Sequence, residues 1–142
     1  MKFVLAFMIT SISIAGFAID PRDAYALVEK NEAILIDIRE MKELSDGMIE
    51  KAAWFPMSEM KAGSVMLKDF RSIIQKKKVF VYCQGGKRAA ACQEILKKEG
   101  IDAESIGGYN YLRNILPTRS LYQILNEPYS GVEACNNKKN IH

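Results

Sequence analysis

The sequence predicts an α/β fold, a small and mostly parallel sheet of about five strands with helices on both faces. Three observations carry this. Two continuous apolar runs of strand length, Ala33-Ile34-Leu35-Ile36-Asp37 and Val79-Phe80-Val81-Tyr82, lack polar alternation, as strands buried on both faces of a parallel sheet do. Helical patterns alternate with these strand patterns along the chain, the order that builds parallel sheets. The 142 residues, 49% hydrophobic and 26% charged, suit one globular domain and exclude a membrane bundle or a disordered tail.

The first residues stand apart. Lys2 precedes a stretch, residues 3–19, with 17 uncharged residues and small Gly16 and Ala18 near its end. Residues 1–18 are read as a secretory signal peptide cleaved after Ala18. The stretch contains Thr10, Ser11 and Ser13 and falls short of the roughly 20 apolar residues of a membrane span, so no stable membrane association is expected after cleavage. The expected location is outside the cytoplasm, in the periplasm if the source is Gram-negative. Loss of Lys2 takes the net charge from +3 to +2. No basic patch remains to argue for nucleic acid.

The domain is expected over residues 19–128. Asp20 and Pro21 start a helix as N-cap and first residue, with Ala24, Leu27 and Val28 on its inward face. After the first strand, residues 39–44 form a short helix stopped near Asp46-Gly47. A short strand over residues 52–55 ends at Pro56. Met60, Val65, Met66, Phe70, Ile73 and Ile74 lie near helical spacing and predict one or two helices over residues 58–75, with Gly63 a weak point. Lys76-Lys77-Lys78 reads as a solvated approach to the next strand. Ala89, Cys92, Ile95 and Leu96 face inward from a helix that Gly100 stops. A strand over residues 103–106 precedes Gly107-Gly108, helices are expected over residues 109–115 and 118–126, and residues 129–142 form a polar tail.

Chemistry concentrates in Tyr82-Cys83-Gln84-Gly85-Gly86-Lys87-Arg88-Ala89. A strand ends at a cysteine, two glycines and two cations follow, and a helix begins. The thiol then lies over a helix N-terminus, where amides lack intrahelical partners and favour an anion. That environment favours thiolate. The chain has three cysteines, Cys83, Cys92 and Cys135. Their odd number leaves at least one thiol unpaired; one disulfide, such as Cys92 with Cys135, fits the count and a dense framework does not. No cysteines stand at zinc-ligand spacing and the only histidine is the terminal His142, so no metal site is expected.

The loop resembles the active-site loop of rhodanese-like domains. Ile34-Leu35-Ile36-Asp37-Ile38-Arg39-Glu40 resembles the family's strand with an Asp-x-Arg element, Gly47-Met48-Ile49-Glu50-Lys51-Ala52 its Gly-His-Ile-x-Gly-Ala segment, and Gly107-Gly108-Tyr109 its late double-glycine turn. Met48 and Lys51 depart from the family's histidine and glycine. The resemblance implies a sulfurtransferase without a cofactor: Cys83 takes the outer sulfur of thiosulfate as a persulfide and passes it to a thiol, cyanide or protein acceptor. Gln84, Gly85, Gly86, Lys87 and Arg88 are the expected substrate-binding residues, the glycines letting amides turn inward and the cations attracting the anionic donor. Arg88 follows Cys83 by five positions, a Cys-x4-Arg loop. The nearest rival, a cysteine phosphatase or arsenate reductase, needs Cys-x5-Arg, and Ala89 stands there. A low-turnover sulfur carrier, or a redox pairing of Cys83 with Cys92 or Cys135, are the other readings. Asp37 and Arg39 are read as pairing near the sheet edge, Cys92 as core, and Trp54 and the tyrosines near Gly108 as core or rim.

Overall fold

A computed structural model describes residues 18–60, 70, 71, 74 and 76–126. The chain runs through α1 (Pro21–Glu29), β1 (Ala33–Asp37), a 3-10 helix (Met41–Asp46), β2 (Met48–Ile49), β3 (Ala53–Trp54), a second 3-10 turn (Met57–Glu59), β4 (Lys78–Cys83), α2 (Lys87–Lys98), β5 (Ala103–Gly108), α3 (Tyr109–Leu112), β6 (Thr118–Arg119) and α4 (Leu121–Asn126). Four strands form a parallel sheet in the order β3-β1-β4-β5, and β2 pairs with β6 antiparallel beside it.

Side-chain alternation divides the core into two layers. Leu35 of β1 and Phe80 and Tyr82 of β4 pack with Ala24, Tyr25 and Val28 of α1. Their neighbours Ile36, Val79, Val81 and Cys83 pack on the opposite face with Ala89, Cys92 and Leu96 of α2, joined by Phe70 and Ile74. Helices therefore cover both faces of the sheet. By the same alternation Cys83 belongs to the α2 layer, at the carboxyl end of an interior strand.

Local signals explain most boundaries. The Asp20 side chain accepts the Arg22 N–H at 2.8 Å and caps α1, with Pro21 at its first position. Gly100, at φ +76°, ends α2 as expected, and Ile101 N–H turns back to the Leu96 carbonyl at 3.0 Å. Lys78 joins β4 and reaches Asp102 at 2.9 Å and Glu104 at 3.2 Å, so it belongs to the sheet more than to the solvated approach.

Several expectations need correction. The short helix after β1 is a 3-10 helix beginning at Met41. The helix expected over residues 109–115 stops at Leu112, and the one expected over 118–126 begins only at Leu121, because Thr118 and Arg119 pair with Ile49 and Met48. A two-residue strand has no alternation to read. Its pairing partner lies about 70 positions earlier and supplies the order instead. The signal peptide up to residue 17, Gly63, the tail and Cys135 lie outside the described residues.

Candidate active site

The loop is built from β4 outward. Residues 79–83 are fully buried or nearly so, and the strand ends where Gln84 and Gly85 leave the sheet. Gly86 takes φ +97° as the residue preceding α2, a left-handed conformation that a side chain resists. This turn folds the Gly86 N–H back onto Cys83 Sγ at 3.0 Å. Cys83 itself is 1% exposed. The sulfur thus lies under its own loop, at the N-terminal end of a 12-residue helix whose dipole favours negative charge there.

A second strand end supports the loop from behind. The register between β4 and β5 shifts after Val81, so that Cys83 pairs with Gly108, and Gly107 takes φ +106° at the irregularity. Gly108 then lies directly against the loop. A Cβ there would stand 2.7 Å from the Gln84 carbonyl oxygen and 2.8 Å from Gly85 Cα, which are backbone atoms of the loop itself. Asn110 adds two bonds: its N–H donates to the Gln84 carbonyl at 3.2 Å and its Oδ1 accepts Gln84 Nε2 at 2.6 Å.

The Gln84 side chain faces the protein's own machinery. Its Oε1 accepts from Arg39 Nη1 at 3.1 Å. Arg39 and Asp37 are both wholly buried and pair through Nη2 and Oδ2 at 2.7 Å. The pair lies at the carboxyl end of β1, an interior strand, rather than on an edge strand. Burial would lower the Arg39 pKa, but the hydrogen bond and charge of Asp37 outweigh it and raise it. The Tyr82 hydroxyl donates to Asp37 Oδ2 at 2.7 Å, and burial first, then the Asp37 charge, push its pKa well above 10. Tyr109 covers the guanidinium, with its ring centroid 3.9 Å from Arg39 Cζ.

The two loop cations part company. Lys87 is exposed and has no ion pair among the described residues. Both terminal nitrogens of Arg88 go to the Glu43 carboxylate, Nη1 to Oε2 at 2.7 Å and Nη2 to Oε1. The Arg88 hydrogen bonds, more than the opposing effect of burial, hold the Glu43 carboxyl down to about 2, well below the usual carboxylate range. Glu43, Asn110 and the backing role of Gly108 escaped the sequence reading. Glu43 left a trace only as the third residue of a capping box with Glu40, a signal that helix chemistry alone explains.

Remaining candidates occupy structural positions. Cys92 is fully buried, its Sγ 3.1 Å from Met60 Sδ, and burial pushes its thiol up to about 12. It remains a protonated core residue. Trp54, 37% exposed, donates its indole N–H to the Arg39 carbonyl at 2.8 Å and Tyr109 is buried, whereas Tyr111 lies on the surface. Met48 is buried, and Lys51 adopts φ +61°.

Gly108→Ala gives a direct check on the backing strand. The added methyl must displace the loop, so sulfur loading of Cys83 is expected to slow by about tenfold to a hundredfold while the circular dichroism spectrum stays native. Unchanged loading, read by intact mass, would contradict this geometry.

Comparison with known proteins follows the same lines. A tRNA uridine(34) hydroxylase from Agrobacterium fabrum is 28% identical over 113 residues, covering 78% of this chain but 36% of that protein; a Sinorhizobium medicae protein of the same name is 26% identical over the same span. The chain thus spans little more than a third of the length of these curated relatives. Among solved structures, a rhodanese-related protein from Thermoplasma volcanium is 26% identical with a TM-score of 0.57, covering 72% of this chain and 96% of that one. The human single-domain sulfurtransferase, 22% identical with a TM-score of 0.55 over 69% of this chain and 96% of its own, shares the fold. The rhodanese-like domain pattern matches residues 20–114, from the first helix through the loop behind Cys83, and the chain belongs to the rhodanese-like domain family.

Proposed function

We propose that the protein is a sulfurtransferase that moves sulfane sulfur through a persulfide on Cys83, with thiosulfate or a similar donor and a thiol, cyanide or protein acceptor. The observation that carries this reading is the Gly86 N–H on Cys83 Sγ at the N-terminus of α2. Such a turn can follow an anionic sulfur from thiolate to persulfide. In the first step the Cys83 thiolate attacks the outer sulfur of thiosulfate, the S–S bond breaks, and sulfite leaves with the electron pair. In the second, the acceptor attacks the outer persulfide sulfur and the Cys83 thiolate returns. No net oxidation occurs. The short Cys-x4-Arg loop encloses little space, which suits one added sulfur atom better than a tetrahedral oxyanion.

A second reading is a low-turnover sulfur carrier. The tRNA uridine(34) hydroxylases favour it, because the matching stretch occupies just over a third of proteins named for a different reaction. Intact-mass analysis after exposure to thiosulfate distinguishes the outcomes. The reading predicts a gain of one sulfur, absent in Cys83→Ser, with thiocyanate formed over many turnovers when cyanide is added. A stable persulfide without turnover selects the carrier, and no gain of sulfur from thiosulfate or cysteine persulfide rejects both.

The compartment that fits is outside the cytoplasm, after removal of residues 1–18. The leader's pattern supports this, and so does the setting of the next residue. The Ile19 N–H donates to Glu104 Oε1 at 2.9 Å, Lys78 holds the other oxygen at 3.2 Å, and the Ile19 side chain packs against the core. Cleavage after Ala18 would turn this nitrogen into an ammonium beside a carboxylate and strengthen the contact. Expression of the full chain in a Gram-negative host is expected to yield protein beginning at Ile19. An intact Met1 in all of the purified protein would contradict export.

A further inference from the structure

We infer that Glu43 sets the charge of the sulfur donor, by neutralising Arg88 and so favouring a persulfide with at most one negative charge over the thiosulfate dianion. The inference rests on the sulfur-transfer reading and refines its donor. A cation five residues after the nucleophile is the natural partner for a dianion, yet both terminal nitrogens of Arg88 are taken by Glu43 in a two-point pair. Glu43 is also held in place from two other sides. Its Oε2 accepts the Glu40 N–H at 2.9 Å, and its carbonyl accepts Arg39 Nη1 at 3.0 Å. An anchor with three attachments does not release Arg88 readily.

The surrounding charges tell the same way. Glu40 lies close enough for its charge to act on Arg88, and its carboxylate binds the Ser58 N–H and hydroxyl at 3.2 and 2.9 Å. Asp37 and Arg39 cancel each other in the interior. Lys87 and Arg88 together balance Glu40 and Glu43, so the charges flanking the loop sum to zero and offer nothing to offset the Cys83 thiolate. Thiosulfate gains little from such a mouth. A donor R–S–SH meets no such deficit: the Cys83 thiolate attacks its outer sulfur, the donor's S–S bond breaks, and R–S⁻ leaves and takes up the proton. Cys83 retains the persulfide anion over the Gly86 N–H.

Two measurements test this on the full protein, with loading of Cys83 followed by intact mass at neutral pH. Thiosulfate serves as the dianionic probe and cysteine persulfide, whose ammonium and carboxylate cancel, as the singly charged one. Glu43→Gln frees Arg88 and is expected to speed loading from thiosulfate about tenfold but from cysteine persulfide only about threefold, because Coulomb attraction scales with donor charge. Equal acceleration, or equal slowing of both donors as a purely structural role of Glu43 would give, overturns the inference. Should the variant fail to fold, the salt dependence of the wild type decides. Loading from thiosulfate is expected to fall less than about twofold from low to high ionic strength, since flanking charges that cancel leave little attraction to screen; a steep fall overturns the inference while leaving sulfur transfer intact. Absence of loading from either donor rejects the sulfur-transfer reading and this refinement with it.

Discussion

Everything near Cys83 depends on one wholly buried guanidinium. Arg39 has five N–H groups, all obliged to find acceptors once water is gone. Nε and Nη2 bind the Asp37 carboxylate, Nη2 also binds the Gly47 carbonyl at 2.7 Å, and Nη1 binds the Glu43 carbonyl and Gln84 Oε1. The acceptors come from the end of β1, the 3-10 helix, the turn into β2 and the loop after β4. Burying an ion pair is costly and often contributes little net stability. What it supplies here is a fixed relation among four segments, added to their packing in the core.

That relation explains the form of the site. Gln84 is held by Arg39 on one side and Asn110 on the other, so the chain must turn at Gly85 and Gly86. Gly108 closes the back because its missing side chain lets the loop approach. Glu43 takes its position from the same 3-10 helix that Arg39 anchors and delivers its carboxylate to Arg88. The two described cysteines show how much the setting decides. Cys83 faces a backbone donor at a helix N-terminus, whereas Cys92, about one and a half turns into α2, meets Met60 in the core.

Much of this was legible in the sequence, and the boundary of legibility has a physical cause. The buried strands, the cap at Asp20, the stop at Gly100 and the thiol above its helix are written in residues close to one another along the chain. Asp37 and Arg39 are neighbours too, and their pairing could be read, though not their central place. The pairing of Arg88 with Glu43 is not legible, because the two lie 45 positions apart and no periodicity joins them. The β2–β6 pair escaped for the same reason. Lys51 replaces a glycine of the family pattern and still takes the left-handed conformation at φ +61°, so the turn is imposed by its surroundings and not by residue type.

Amide hydrogen exchange over residues 84–88 in the wild type and in Arg39→Lys tests the central role of Arg39 most directly. Lysine keeps the charge but cannot reproduce the planar fork. If Arg39 organises the loop, exchange at these amides should quicken at least about tenfold in the variant while β1 and β4 remain protected. Equal protection of the loop in both proteins would contradict the account.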